Sequence, residues 1–310
     1  MFGIPEYSFY VMMSVFTLLI VASGFATFLS VKNPQNDYKE LKLRIKSWWV
    51  MIAILFTVLL ASKGAAITFF GFLSFLMLKE FLSIVPMRLE DRKVIFWAYV
   101  SIPVQYFWIY LEWYGMFIIF VPIFMLLILP MSMVLIGETK GFIRSAGVLT
   151  WTTMLSVFSI GHIAFLLVLP EKNLAAGNVG LVLFVLFMTQ FNDVCQYVWG
   201  KSFGKRKIIP KVSPNKTWEG FAGGFTTVTV VSTVIAPLLT PLTALQGAGA
   251  GALIGFSGFI GDVVISSVKR DLQIKDSGNL IPGHGGVLDR LDSLSYTAPL
   301  FFHYLYYLQY

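Results

Sequence analysis

Between Ser266 and Asp292 the chain reads SSVKRDLQIKDSGNLIPGHGGVLDRLD, with four aspartates, two lysines, two arginines and a histidine in 27 residues. Charged residues make up only 13% of the whole sequence. Such a concentration in so apolar a chain marks a candidate site. Converging carboxylates repel one another unless cations lie between them. Oxygen-only donors suit Mg²⁺, which takes one or two carboxylates together with substrate phosphates. Asp262, Asp289 and Asp292 are the candidate metal ligands. If the helix carrying Asp262 continues, Asp262, Ser266, Lys269 and Arg270 share one face, because residues three and four apart are neighbours. Asp289 and Asp292, three apart, face the same way where the next apolar helix begins, and a helix N-terminus favours anions. The alternative is a set of structural ion pairs, Asp289 or Asp292 with Arg270 or Arg290.

A second segment has the opposite charge. FNDVCQYVWGKSFGKRKIIPKVSPNKTWEG, from Phe191 to Gly220, carries six basic residues against Asp193 and Glu219. Gly200 and Gly204 allow close backbone approach to a ligand, and Pro210, Ser213 and Pro214 argue for ordered turns. Attraction of a basic loop to anionic headgroups explains the charge, but not the glycines, the Ser-Pro turn or Asp193. A phosphate-binding loop explains all of them. It is not a Walker A loop, because Gly200-Lys201-Ser202 lacks the preceding glycine spacing. His284, between glycines, is read either as a packed loop residue or as a phosphate contact. Trp218 is read as an interfacial anchor. Cys195, the single cysteine, excludes an internal disulfide.

These segments must be held by membrane helices. The chain is 57% hydrophobic over 310 residues, and its mean hydropathy is +0.76. A span needs about 20 apolar residues. Apolar runs predict an all-α polytopic membrane protein of ten helices, near 7–30, 48–61, 65–78, 94–110, 114–136, 147–169, 177–191, 221–239, 244–261 and 294–309. Two regions follow: residues 1–170, with little recognisable chemistry, and a catalytic region over 171–310. The first run lacks a basic flank and a cleavage site, and is read as a retained helix. All but Lys63 and Lys172 of the 23 lysines and arginines fall in alternate loops. By the positive-inside rule this puts both termini outside and the two charged segments on the cytoplasmic side. The same rule accounts for the pI near 9.3 without invoking nucleic acid. Lys79 and Glu80, ending the third span, read as an interfacial ion pair.

Ser266-Ser267-Val268-Lys269-Arg270, Lys275-Asp276-Ser277-Gly278, Ile281-Pro282-Gly283-His284-Gly285-Gly286 and Asp289-Arg290-Leu291-Asp292 together resemble the signature of phosphatidate cytidylyltransferases. Asp193, Tyr197, Gly200-Lys201, Phe203-Gly204-Lys205 and Ser213-Pro214-Asn215-Lys216-Thr217-Trp218-Glu219-Gly220 are also similar to that family. The resemblance implies transfer of a cytidylyl group from CTP to phosphatidate, with CDP-diacylglycerol and pyrophosphate as products. It implies a metal pair on Asp262 and Asp289, with Mg²⁺ required and K⁺ proposed beside it. Asp292 and Asp276 become supporting or additional ligands. Lys269 and Arg270, with Lys201, Lys205 and Lys216, become candidates for the triphosphate, and Asp193, Tyr197, Ser213, Lys275 and His284 join the substrate site. A homodimer in a bacterial inner membrane is implied too. Asn192, Val194, Cys195 and Gln196 depart from the small residues usual there, which bears on the acceptor lipid. The remaining alternatives are a metal-dependent nucleotidyltransferase for another lipid phosphate, and a transporter of anionic lipid. A transporter would carry its charges at mid-span, whereas here they sit at helix ends.

Overall fold

The computed structural model describes residues 5–35 and 37–310. The chain runs through α1 (Glu6–Lys32), α2 (Lys39–Ala61), α3 (Lys63–Ile84), α4 (Arg92–Tyr110), α5 (Tyr114–Val134), α6 (Phe142–Leu166) and α7 (Gly177–Phe203). A short antiparallel hairpin follows, β1 (Lys207–Ile209) paired with β2 (Ser213–Thr217). Then come α8 (Trp218–Leu239), α9 (Ala244–Asp271), the single turn α10 (Leu288–Leu291) and α11 (Leu294–Gln309). Among the described residues, eight helices are long and apolar enough to cross a membrane. In that setting a helix satisfies its own backbone bonds, which is why every long apolar segment is helical. The other two expected spans, α4 and α11, form helices but fall short of that test.

Several helices outrun their apolar runs. The second span, expected from residue 48, begins at Lys39, where an Arg44–Glu40 pair one turn apart supports the polar extension. The seventh and ninth continue to Phe203 and Asp271. At 1.5 Å per residue their 27 and 28 residues reach about 40 Å, well beyond a hydrocarbon core of ~30 Å. Hydropathy marks where lipid ends, and the helices continue past it. These overhangs carry the polar side chains of both charged segments.

The site-bearing bundle is α7, α8, α9 and α11, packed through small residues. A Cβ on Gly251 of α9 would stand 2.9 Å from the Thr229 Cα of α8, and one on Gly261 would lie 2.5 Å from the Asp292 carbonyl. Between helices in lipid, van der Waals contact and interhelical hydrogen bonds do most of the work. The hydroxyls of Thr189 on α7 and Thr297 on α11 meet at 3.0 Å. Thr217 caps α8 by accepting from the Gly220 amide, and Thr243 and Gln246 form a capping box on α9. The remaining helices pack around Phe81 and Phe117 and reach the bundle where Phe302 of α11 meets His162 and Phe165 of α6. Asp91, fully buried, takes a bidentate Arg88 and the Ser145 hydroxyl, fastening the starts of α4 and α6.

Candidate active site

Four polar elements meet at one end of the bundle. The first is the overhang of α9. Asp262, Ser266 and Lys269 lie along one face, as the spacing predicts, and the Ser266 hydroxyl donates to Asp262 Oδ1 at 3.2 Å. The second is the loop after α9. Its Ile281-Pro282-Gly283-His284 segment is a tight turn closed by the His284 amide on the Ile281 carbonyl at 2.9 Å. Gly283, at φ +74°, follows proline in the order a type II turn requires. Gly285 also has positive φ, and a Cβ there would meet Asp289 Oδ2 at 2.5 Å. The loop delivers Asp289, whose Oδ2 accepts from the Ser277 amide at 2.8 Å, the Ser277 hydroxyl at 2.9 Å and the Gly286 amide at 3.0 Å. Its Oδ1 takes the Lys269 ammonium at 2.7 Å.

The third element is α7, which places Gln190 and Asp193 opposite. Ser293, after Asp292, donates to Asp193 Oδ1 at 3.3 Å. The fourth is β2, which sends Lys216 inward to Asp262 Oδ2 at 2.5 Å. Gln196 of α7 accepts from the same ammonium at 3.4 Å, and the Phe259 ring lies beneath it at 5.6 Å.

Asp193, Asp262, Asp276, Asp289 and Asp292 line one cavity of about 240 Å³ with Lys269, His284, Arg290 and Gln190. It is smaller than the ~300–1,000 Å³ of a site that swallows a whole drug-sized ligand. It suits the charged end of a larger molecule. Burial alone would raise the Asp289 carboxyl, but Lys269 and the Gly286 and Ser277 amides outweigh it and hold its pKa below the ordinary value. Asp292 goes the other way: burial, then the charges of Asp262 and Asp193, push it well up. Burial disfavours the Lys216 ammonium, yet Asp262 and Asp193 overcome this and raise its pKa. Burial lowers the His284 pKa, with Arg290 and Arg44 adding repulsion, so the ring is neutral near pH 7. Among the described residues, Arg290 Nε and His284 Nδ1 are buried without a hydrogen-bond partner. Both residues line the cavity.

The expected site residues divide. Asp193, Asp262, Asp276, Asp289, Asp292, Lys269 and His284 converge on the cavity, and Lys216 joins through Asp262. Arg270 turns away, binding the Val212 carbonyl at 3.1 Å and so fastening the hairpin to α9. Lys201 lies over the exposed Tyr197 ring at 5.9 Å. Lys205, Lys275 and part of Ser213 border solvent on the same end of the protein. The alternative ion pairs with Arg270 or Arg290 are replaced by Lys269–Asp289 and Lys216–Asp262. The expected Lys79–Glu80 pair is also corrected: Glu80 turns from its neighbour and accepts from the Val287 and Leu288 amides, and it shares the Ser277 hydroxyl with Asp289. Buried amides demand an acceptor more strongly than an exposed lysine does. Gln190 and Arg290 are the cavity's additions to the sequence reading, and Glu80 joins them from behind, through the loop that carries Asp289.

Whether a divalent cation fits is a question of charge and donors. Five aspartates line the cavity against Lys269 and Arg290, all carboxylate oxygens being hard donors of the type Mg²⁺ prefers. Among the described residues no three His, Cys, Asp or Glu side chains stand close enough to cage a metal unaided. The arrangement therefore fits an ion held by one or two aspartates and completed by substrate oxygens.

The chain matches the cytidylyltransferase family over residues 42–308. It is 44% identical over 294 residues to the uncharacterized protein YnbB of Escherichia coli strain K12, covering 95% of this chain and 97% of that one. It is 43% identical over 127 residues to a phosphatidate cytidylyltransferase of Pseudomonas aeruginosa, covering 39% and 46% of the two chains. With the phosphatidate cytidylyltransferase of Bacillus subtilis strain 168 it shares 39% identity over 137 residues, 43% of this chain and 50% of the relative. The alignments with these named enzymes span half or less of either partner.

Proposed function

We propose that this chain, which belongs to the cytidylyltransferase family, is a membrane enzyme that transfers the cytidylyl group of CTP to phosphatidate, giving CDP-diacylglycerol and pyrophosphate for phospholipid synthesis. The observation that carries the reading is the cavity at the helix ends, lined by five aspartates and by two buried nitrogen groups that have no partner among the described residues. Such a place serves one soluble nucleotide and one lipid together. A phosphate oxygen of phosphatidate attacks the α-phosphorus of CTP. A new P–O bond forms, the bond from the α-phosphorus to the bridging oxygen breaks, and pyrophosphate leaves with that electron pair. The nucleophile is already an anion, so no strong general base is needed. Asp262 and Asp289 would hold Mg²⁺, with Asp292 and Asp276 supporting, and K⁺ is proposed beside it. The divalent ion supplies positive charge that offsets repulsion between the two phosphates.

This chain's own cations do the rest. Lys269 and Lys216, already paired to Asp289 and Asp262, lie where they can receive phosphate oxygens when those carboxylates turn to a cation. Arg290 Nε and His284 Nδ1 have hydrogen-bonding capacity left for a substrate oxygen. Lys201, Lys205 and Lys275, on the solvent side, suit the departing pyrophosphate end. The reading places the cavity on the cytoplasmic side of a bacterial inner membrane, in a homodimer.

A related reading keeps the chemistry and changes the acceptor to another lipid phosphate. It draws on one contact: Ser47 and Arg44 on the basic overhang of α2 pack on the Pro282-Gly283 turn, and Trp48 meets His284 edge-on at 5.9 Å. A wall built by the N-terminal helices at the site is a place to select a headgroup. Purified protein with CTP, Mg²⁺ and phosphatidate should release pyrophosphate and form CDP-diacylglycerol. Turnover with a different lipid phosphate alone would favour the related reading. Absence of turnover with every lipid phosphate, in folded protein, would end both.

A further inference from the structure

Glu80 sits near the end of α3, in the part of the chain where the sequence shows little chemistry. Its Oε2 accepts from the Val287 amide at 2.8 Å, and its Oε1 from the Leu288 amide at 3.1 Å. The Ser277 hydroxyl also contacts Oε1. The same hydroxyl is 2.9 Å from Asp289 Oδ2. One hydroxyl proton cannot serve two carboxylates at once, so the orientation of Ser277 depends on both. Gly278 and Gly286 close the loop around the carboxylate. A Cβ on Gly278 would stand 3.2 Å from the Glu80 carboxyl carbon, and one on Gly286 would overlap Oε1. Glu80 thus grips both arms of the loop, 277–278 and 286–288, from a helix outside the bundle that carries the aspartates.

We propose that Glu80 is a positioning residue for the reaction: it holds the loop so that Asp289 meets Lys269 and the cavity in one fixed geometry. The inference rests on the cytidylyl-transfer reading for its catalytic consequence, but not for the clamp itself. Ligand-orienting contacts of this kind are worth about 10–100-fold in metal affinity or activity.

Glu80→Gln is the direct test. The amide keeps size and one acceptor but turns an NH₂ group toward a backbone N–H, where donor faces donor. In the purified full-length protein we expect the half-saturating Mg²⁺ concentration to rise and kcat to fall, each by about 10–100-fold, with KM for CTP changed far less. Deuterium uptake in the peptide covering 277–288 should speed up while uptake in α8 stays the same. Glu80→Asp, with the charge kept on a shorter arm, should recover part of both effects. Asp91→Asn serves as the control. It should lower thermal stability without touching loop exchange or the Mg²⁺ requirement. Unchanged uptake at 277–288 in folded Glu80→Gln and Glu80→Asp would overturn the clamp. So would activity loss that merely follows thermal stability, as in the control. If the wild-type protein does not turn over CTP, the functional reading fails, and the exchange data still decide the clamp.

Discussion

Replacing Asp289 with asparagine perturbs two roles of one side chain, and the structure allows them to be separated. The Lys269 and Asp289 side chains are 13% and 5% exposed. Asp289 Oδ1 serves Lys269, and Oδ2 serves three donors from Ser277 and Gly286. Whichever way the asparagine is turned, its NH₂ faces either an ammonium or a set of donors. Leaving one partner of a buried pair uncompensated costs about 3–5 kcal/mol. Asp289→Asn should therefore lower stability as well as activity, and activity alone would not reveal why. Adding Lys269→Met removes the stranded charge and keeps the length of the side chain. The double variant should regain about 0.5–3 kcal/mol, the range for residues in direct contact. It should regain no turnover, because the carboxylate proposed to hold the cation and the lysine proposed to receive phosphate oxygens are both missing. A 10³-fold loss corresponds to about 4 kcal/mol in the barrier. Thermal unfolding and pyrophosphate release, measured on the same preparations of wild type, both single variants and the double, give the comparison. Recovery of turnover in step with stability would refute the reasoning and leave Asp289 as one half of a structural pair.

Four other outcomes follow from particular contacts. Asp91→Asn strands Arg88 and should cost about 3–5 kcal/mol in thermal unfolding while sparing catalysis. The Asp91 carboxyl is also held below its ordinary pKa: burial opposes the charge, but Arg88 and Ser145 favour it more. Its stabilisation is thus complete above the unfolded value, about 3.9, and is lost as pH falls through the lower folded value. Acid unfolding of wild type should steepen there, and Asp91→Asn should not. Gly286→Ala drives a methyl into Glu80 and should abolish turnover, with loop exchange rising as in Glu80→Gln. Neutralising Lys201 or Lys205 should raise KM for CTP more than that for the lipid; equal effects would indicate a general surface-charge role. In a Cys195→Ser background, cysteines at 42, 205 and 275 should label from the cytoplasmic side, and labelling of 275 only from outside would reverse the proposed orientation.

Local periodicity made part of this legible. Asp262, Ser266 and Lys269 share a face because a helix repeats every 3.6 residues, and no tertiary information was needed. The Pro282-Gly283 turn obeys a local rule of the same kind, since glycine takes the positive φ found at Gly283 without steric cost. Partners were not legible. Lys216 finds Asp262 across a hairpin that the sequence offered only as turns, and β1 and β2 pair through backbone groups with little side-chain pattern. Gln196 stood out as a departure from the family's small residues, yet its contact with Lys216 depends on how α7 faces β2. Glu80 was read with the wrong partner, Lys79. A lone acid after an apolar run reads as an interfacial residue, and its true partners lie some 200 positions downstream.

That separation has a consequence for how the protein is made. Val287 follows Glu80 by 207 positions in the chain. Ribosomes add roughly 5–20 residues per second, so the clamp waits on the order of 10–40 s after α3 emerges before its amides exist. Throughout that interval the Glu80 carboxylate lacks these amide partners, and the helices made in between fold before it gains them. The two halves of the clamp join only as the closing helix is threaded. Arrest of synthesis before residue 287 would leave Glu80 without these two amide partners.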